Sequence, residues 1–288
     1  MRPRQWTKNG VVYAGLIFDG QLFILDSFFR VTLSFILLCL ISGTVYIIND
    51  LVDVESDRQH PRKSKRPLAS GQLPVPLAIG AAVVIPIIAI VIALLYSPPF
   101  AAILVLYLAL QLAYSFKLKQ IVILDVLTVA AGFVLRVAGG VVVISVAQFS
   151  PWLYLSVALL ALFLIIGKRR QELLELAEQA GSVRVTLRQY NLPLLDDMFR
   201  MVMTSILIAY MLYTVEEPSV LLAGTNLTLL TVPFVVYGVF RYLYLMHVKG
   251  EGSAPDEVLL KDRPLQIAII LWGLTFVSIL YLPRLAAS

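Results

Sequence analysis

Long apolar runs recur along this chain, separated by charge clusters or by Pro and Gly. A membrane-crossing helix needs about 20 mostly apolar residues. Nine segments answer that description: 10–25, 27–49, 75–96, 99–116, 122–144, 151–167, 198–215, 226–246 and 264–282. Segment 10–25 is the weakest, because Asp19 and Gly20 interrupt it. It reads either as a span or as a short tilted or re-entrant helix. No internal repeat stands out, and residues 1–288 read as a single integral-membrane domain. The expected fold class is an all-α polytopic membrane protein with about nine transmembrane helices.

Composition narrows the class further. The chain is 59% hydrophobic and 14% charged, against about 25% charged in an ordinary soluble domain. Disorder requires low hydrophobicity, and the single Cys39 excludes a disulfide scaffold. Two histidines, His60 and His247, leave no His-rich metal site. The polar start lacks the small-residue cleavage site of a secretory signal.

Charge placement orients the bundle. Eighteen of the 23 Lys and Arg residues fall before segment 1 or in the loops that join even to odd segments, and Arg200 sits at the same end of segment 198–215. By the positive-inside rule those loops and the N-terminus face the cytoplasm, and the C-terminus lies outside. The expected location is the cell inner (plasma) membrane, among its phospholipids. The net charge of +5 is this topology signal, so nucleic acid is not expected as a partner. Homo-oligomerisation is compatible with the sequence. The long loops share the cytoplasmic side, which puts any chemistry at that mouth.

Segment 2 runs on into Asn49-Asp50-Leu51-Val52-Asp53-Val54-Glu55-Ser56-Asp57. On a continuous helix Asn49, Asp53, Asp57 and Asp50 lie at about 0°, 40°, 80° and 100°, on one face. Carboxylates so placed repel one another unless a cation sits among them. Mg²⁺ suits hard oxygen ligands and is usually held by one or two carboxylates plus substrate phosphates. The alternative is a solvated helix end, for which acidic residues at a C-terminus oppose the helix dipole. Next comes a basic loop with Arg58, Lys63 and Arg66. Such a loop either clamps phosphate oxygens or anchors anionic lipid and sets topology.

Asn-Asp-x-x-Asp-x-x-x-Asp at 49–57, followed by Arg-x-His-Pro-x-Lys-x-x-Arg-Pro-x-Ala-x-Gly at 58–71, resembles the first aspartate-rich motif of the UbiA superfamily. Tyr114-Ser115-Phe116-Lys117-Leu118-Lys119 resembles that superfamily's Tyr-Ser-x-x-x-Lys segment. The resemblance implies intramembrane transferase chemistry and nine helices around a central cavity open to the cytoplasmic side. It also implies Asp50, Asp53 and Asp57 as the catalytic, Mg²⁺-holding set. Most members carry a second acidic motif after the sixth helix. Here that place reads Gly167-Lys168-Arg169-Arg170-Gln171-Glu172, a cationic cluster with one carboxylate. Basic side chains can hold an anion directly.

That departure, with Arg-Pro-Arg-Gln-Trp-Thr-Lys-Asn at 2–9, Ile-Leu-Asp at 123–125 and Lys-Asp-Arg-Pro-Leu at 261–265, is similar to the decaprenyl-phosphate phosphoribosyltransferase branch. The similarity implies phosphoribosyl pyrophosphate as donor, a polyprenyl phosphate lipid as acceptor, and a cell-wall arabinan precursor as product. Asn49, Arg58, Lys63, Arg66, Tyr114, Lys117, Lys119, Lys168, Arg169 and Glu172 are then expected to bind substrate. Asp125 is expected to hydrogen-bond the ribose hydroxyls or orient Lys119, or else to cap a helix or form an ion pair. Arg136 and Arg241 lie within spans, where a cation is costly unless it faces a cavity or a partner. Each is read as a substrate-phosphate contact or as the partner of an internal acceptor. Asp256 and Asp262 read as a second metal site or as loop charges. The rival readings are a prenyltransferase acting on an aromatic acceptor and a transporter.

Overall fold

The computed structural model describes residues 3–59, 63–144, 150–178, 185–221, 226–250, 258 and 261–286. All regular structure among them is helical. Among the described residues eight helices are long and apolar enough to cross a membrane, which makes this a multi-pass membrane protein. They are α1 (Leu25–Val52), α2 (Val75–Tyr96), α3 (Pro98–Phe116), α4 (Leu124–Val141), α5 (Pro151–Glu178), α6 (Leu192–Leu221), α7 (Val232–His247), which spans together with the preceding 3-10 turn Leu227–Thr231, and α8 (Arg263–Ala286).

The first expected span takes another form. Pro3–Tyr13 is a 3-10 helix, and only Ala14–Phe18 is α-helical. Gly20 then turns the chain at φ 71°, a conformation open to glycine at little cost. Two other boundaries move outward. Helix α5 continues past 167 to Glu178, because Lys168–Glu178 holds strong helix formers and no breaker. Helix α6 begins at Leu192, where the Asn191 Oδ1 accepts the Leu194 N–H at 2.9 Å and caps it.

The helices gather into two compact units, Met1–Lys117 with Leu135–Ala147, and Leu118–Val134 with Gln148–Ser288. In the first unit α1 is the central helix. It is 61% buried across its most apolar stretch, against 22% for α2, whose Leu, Ile and Val side chains face outward to lipid. Ser97 ends α2 in extended conformation and its Oγ accepts the Phe100 N–H at the start of α3. Pro98 explains both facts: it disfavours helix at the preceding residue and is preformed for a helix start. The core joins Val12 and Leu16 to Leu38, Ile41, Phe100 and Leu104.

The N-terminal segment lies very close to the end of α4. A Cβ built on Gly140 would stand 1.9 Å from the Val12 carbonyl oxygen. Because the obstacle is backbone, Gly140→Ala is expected to lower stability by about 1–3 kcal/mol or more, the usual cost of overpacking. Thermal unfolding in detergent measures it, and an unchanged midpoint would refute the tight contact. In the second unit Phe163 stacks on Phe199 at 4.6 Å, and Ile166, Tyr242 and Leu245 complete the core.

Candidate active site

The acidic stripe survives a kink. Helix α1 stops at Val52, and Asp53 takes φ −92° and ψ 5°. Its N–H still donates to the Asn49 carbonyl at 3.0 Å, and Asp57 N–H donates to the Asp53 carbonyl at 2.8 Å. A short helix, Val54–Gln59, carries the stripe onward. Asp50 and Asp57 therefore come to one side and meet at a single atom. The Arg66 Nη1 donates to Asp50 Oδ1 at 3.1 Å and to Asp57 Oδ2 at 2.5 Å. Asn49 and Asp53 are half-buried beside them. No group of three or more His, Cys, Asp or Glu side chains converges as a metal cage among the described residues.

Asp57 is 1% exposed, and its Oδ1 is buried without a hydrogen-bond partner. Leaving such an acceptor unsatisfied costs about 1–3 kcal/mol. A hard cation would satisfy it, and two carboxylates are the usual protein share for Mg²⁺. The residues present therefore fit that ion. Arg66 stands on a loop anchored by Leu68, which packs with Ile47 and Ala78. Arg58 turns away to an exposed pair with Glu55 at 2.9 Å, so the structure does not bring it to the carboxylates. The Lys63 side chain lies outside the described residues, as does Asp256.

The second unit holds a buried network at the start of α4. Asp125 is 0% exposed. Its Oδ1 accepts from the Tyr190 hydroxyl at 2.8 Å, and its Oδ2 from Arg169 Nε at 3.0 Å. Arg169, itself buried, donates from Nη1 to Glu172 Oε2 at 2.7 Å. The Tyr190 oxygen also accepts the Ile123 N–H at 2.8 Å. Ile123 has φ 70°, which for a β-branched residue stores about 1–3 kcal/mol of strain. Burial and the bond to Asp125 push the Tyr190 phenol up to about 12, so it stays a donor at neutral pH.

This arrangement revises two expectations. Asp125 is enclosed, with both oxygens engaged by the protein, rather than presented to ribose or to Lys119. Arg169 is committed to two carboxylates rather than to a substrate anion. Lys168, next to it, is exposed. Successive residues on a helix point about 100° apart, so neighbours in sequence divide between inside and outside. Arg170 pairs with Asp196 at 2.6 Å. Tyr114 is half-buried on the last turn of α3, and Lys117 is exposed at its end. Lys119 is half-buried, and its carbonyl accepts from Thr186 at 2.8 Å.

Both intramembrane arginines have internal partners. Arg136, 8% exposed, donates to Asn9 Oδ1 at 2.8 Å and to the Tyr107 hydroxyl at 2.6 Å. Asn9 in turn donates to Ser42 at 3.1 Å and to Cys39 at 3.2 Å. Arg136 thus ties the N-terminal segment to α1, α3 and α4. Arg241 grips Asp262 through a fork of 3.1 and 2.8 Å. Asp262 also accepts the Leu265 N–H at 2.9 Å. The bond from Arg241, with that backbone bond, holds its carboxyl below the usual range. Asp262 is a cap and an ion-pair partner here. Tyr190 is a site residue that the sequence did not single out, and Asn9 entered only as the last residue of the motif at 2–9, without a role. No composition or period signal distinguishes either one.

Residues 11–261 match the UbiA prenyltransferase family. The chain is 33% identical to the decaprenyl-phosphate phosphoribosyltransferase of Corynebacterium glutamicum, over 98% of this chain and 86% of that protein. It is also 33% identical to the protein of that name from Mycobacterium tuberculosis, over 94% and 90% of the two chains. Its fold is similar to that of a UbiA homolog from Archaeoglobus fulgidus solved with GPP and Mg²⁺. The TM-score is 0.70 at 18% identity, over 97% of each chain. With the aspartate-rich stripe and the helical architecture, these likenesses agree: the chain belongs to the UbiA prenyltransferase family.

Proposed function

We propose that this protein transfers the 5-phosphoribosyl group of phosphoribosyl pyrophosphate to a polyprenyl phosphate, releasing pyrophosphate, with Mg²⁺ as cofactor. Decaprenyl phosphate is the acceptor in this reading, and the product feeds cell-wall arabinan synthesis. The observation that carries it is the near-full-length identity of 33% to proteins named for that reaction. The whole chain acts as one functional domain of the membrane.

In this mechanism Asp50 and Asp57 would hold Mg²⁺, which would supply positive charge to the pyrophosphate leaving group. Arg66 adds a guanidinium at the same carboxylates and can fork onto phosphate oxygens. Lys168 offers a charge-assisted hydrogen bond to substrate phosphate. The ribosyl C1–O bond breaks through an oxocarbenium-like state, and an oxygen of the lipid phosphate forms the new bond. A phosphate monoester is already ionised near pH 7, so no side chain has to remove a proton from it. In-line attack inverts C1. Basic side chains offset the repulsion between two anionic substrates.

Purified protein in detergent, given labelled phosphoribosyl pyrophosphate and polyprenyl phosphate, is expected to form labelled lipid and pyrophosphate. Prenyl transfer from a prenyl diphosphate to an aromatic acid, with no ribosyl transfer, would overturn the reading.

Sidedness follows from charge. The acidic stripe and basic loops are proposed to face the cytoplasm, with the C-terminus outside. Cys39 is buried, so an added cysteine reports cleanly. A cysteine replacing Ser64 is expected to react with an impermeant reagent in inside-out vesicles only. One replacing Asn226 should react in intact spheroplasts, and the reverse pattern inverts the topology.

A further inference from the structure

We propose that Glu172 is the carboxylate that accepts the hydroxyls of the donor's ribose, and that Tyr190 positions it by acting through Asp125 and Arg169. The inference rests on the phosphoribosyl-transfer reading above. Four side chains form one chain of hydrogen bonds, from Tyr190 to Asp125 to Arg169 to Glu172, with links of 2.8, 3.0 and 2.7 Å. Tyr190, Asp125 and Arg169 are buried, whereas the Glu172 side chain is 26% exposed. Glu172 is the member of the four that a solute can reach.

Asp125 cannot perform this role, because it is enclosed and each oxygen already accepts a protein donor. A carboxylate with one oxygen on a guanidinium keeps acceptor capacity on the other. Acidic side chains read ribose hydroxyls in dinucleotide sites by the same chemistry. The hydroxyls at C2 and C3 stand beside the reacting C1, so holding them orients the carbon that is attacked.

Ile123, at φ 70°, sits at the head of this chain of bonds. Its strained backbone is retained with its N–H on the Tyr190 oxygen. Strain of this kind persists only where the surroundings over-determine it, and it clusters at functional sites. The buried Asp125–Arg169 pair points the same way, since replacing such pairs with apolar packing is often neutral or stabilising. Tyr190 uses one oxygen to hold both the strained turn and the Asp125 carboxylate. Those two contacts fix the plane of Asp125, hence the direction of the Arg169 fork and the place of the Glu172 carboxylate.

A double-mutant cycle tests this, with Tyr190→Phe, Glu172→Gln and both changes in the full-length protein. Glu172→Gln is expected to raise the KM for phosphoribosyl pyrophosphate about 10-fold, with the KM for polyprenyl phosphate within about twofold. Tyr190→Phe is expected to raise the same donor KM about 5-fold, and to add less than about twofold in the Glu172→Gln background. Additive effects, or equal rises in both KM values, would overturn the positioning role. A donor lacking the 2-hydroxyl provides a second arm that needs no change at Tyr190. Wild type is expected to lose about 10-fold in kcat/KM with it, and Glu172→Gln less than about twofold. Equal losses in the two proteins would overturn ribose recognition by Glu172. A wild type that transfers no ribosyl group overturns the functional reading and this inference together. An active wild type with an additive cycle and equal losses overturns this inference alone.

Discussion

Asp57→Asn is expected to lower turnover by about 10³-fold while the protein still inserts and purifies normally. The change keeps the shape of a buried side chain and an oxygen facing Arg66, but it removes the charge that would hold a divalent cation. Metal stabilisation of a leaving group supplies several kcal/mol, and about 4 kcal/mol corresponds to roughly 10³-fold in rate. Stability should change little, because the Asp57 Oδ1 has no protein partner to lose and Arg66 keeps Asp50. Asp50→Ala is expected to act in the same direction. Chelation by EDTA should inhibit wild type and Mg²⁺ should restore it. Turnover near wild type in Asp57→Asn, or indifference to EDTA, would remove the metal from the mechanism.

Two adjacent basic residues should fail in different ways. Lys168 is exposed, whereas Arg169 is buried between Asp125 and Glu172. Lys168→Ala is expected to raise one substrate KM by roughly 10- to 150-fold, the cost of about 1.5–3 kcal/mol for a charge-assisted hydrogen bond. Phosphoribosyl pyrophosphate is the expected substrate, since its 5-phosphate needs a cation of its own. The unfolding midpoint of that variant should stay at the wild-type value. Arg169→Ala leaves Asp125 as an enclosed carboxylate without its cation. Breaking a buried pair in this way costs about 3–5 kcal/mol, so the unfolding midpoint should fall and yield with it. Steady-state kinetics and thermal unfolding on the two variants separate the cases. A stable Arg169→Ala protein with only a raised KM would make Arg169 a substrate ligand after all. Unchanged kinetics in Lys168→Ala would leave that lysine as a topology signal.

The helical wheel was a good guide where structure stays local. It put Asp50 and Asp57 about 20° apart on one face, and they meet at one guanidinium nitrogen. Asp53 lies at the break between the two helices, half-buried, with helical backbone bonds on both sides of it. The wheel could not foresee that α5 runs on to Glu178, because a charged stretch rich in helix formers looks like a loop when only hydropathy is followed. Segment 10–25 left two readings open, and the structure favours the short helix over the span. Its apolar content suits a span, but the backbone winds as a 3-10 helix and turns at Gly20.

Membrane insertion and the places of the eight spans from Leu25 onward come from sums over neighbouring residues, so sequence alone located them. Transfer of apolar side chains out of water adds up along a segment, and basic loops orient the result. Partner identity is different, because it depends on distances that close only after packing. Arg136 meets Asn9 across 127 positions, Tyr190 meets Asp125 across 65, and Arg169 meets Asp125 across 44. Inside an apolar interior each of those charges needs its partner within hydrogen-bond reach. Tertiary structure alone therefore decided which basic residues are enclosed by the protein and which remain open to a substrate phosphate.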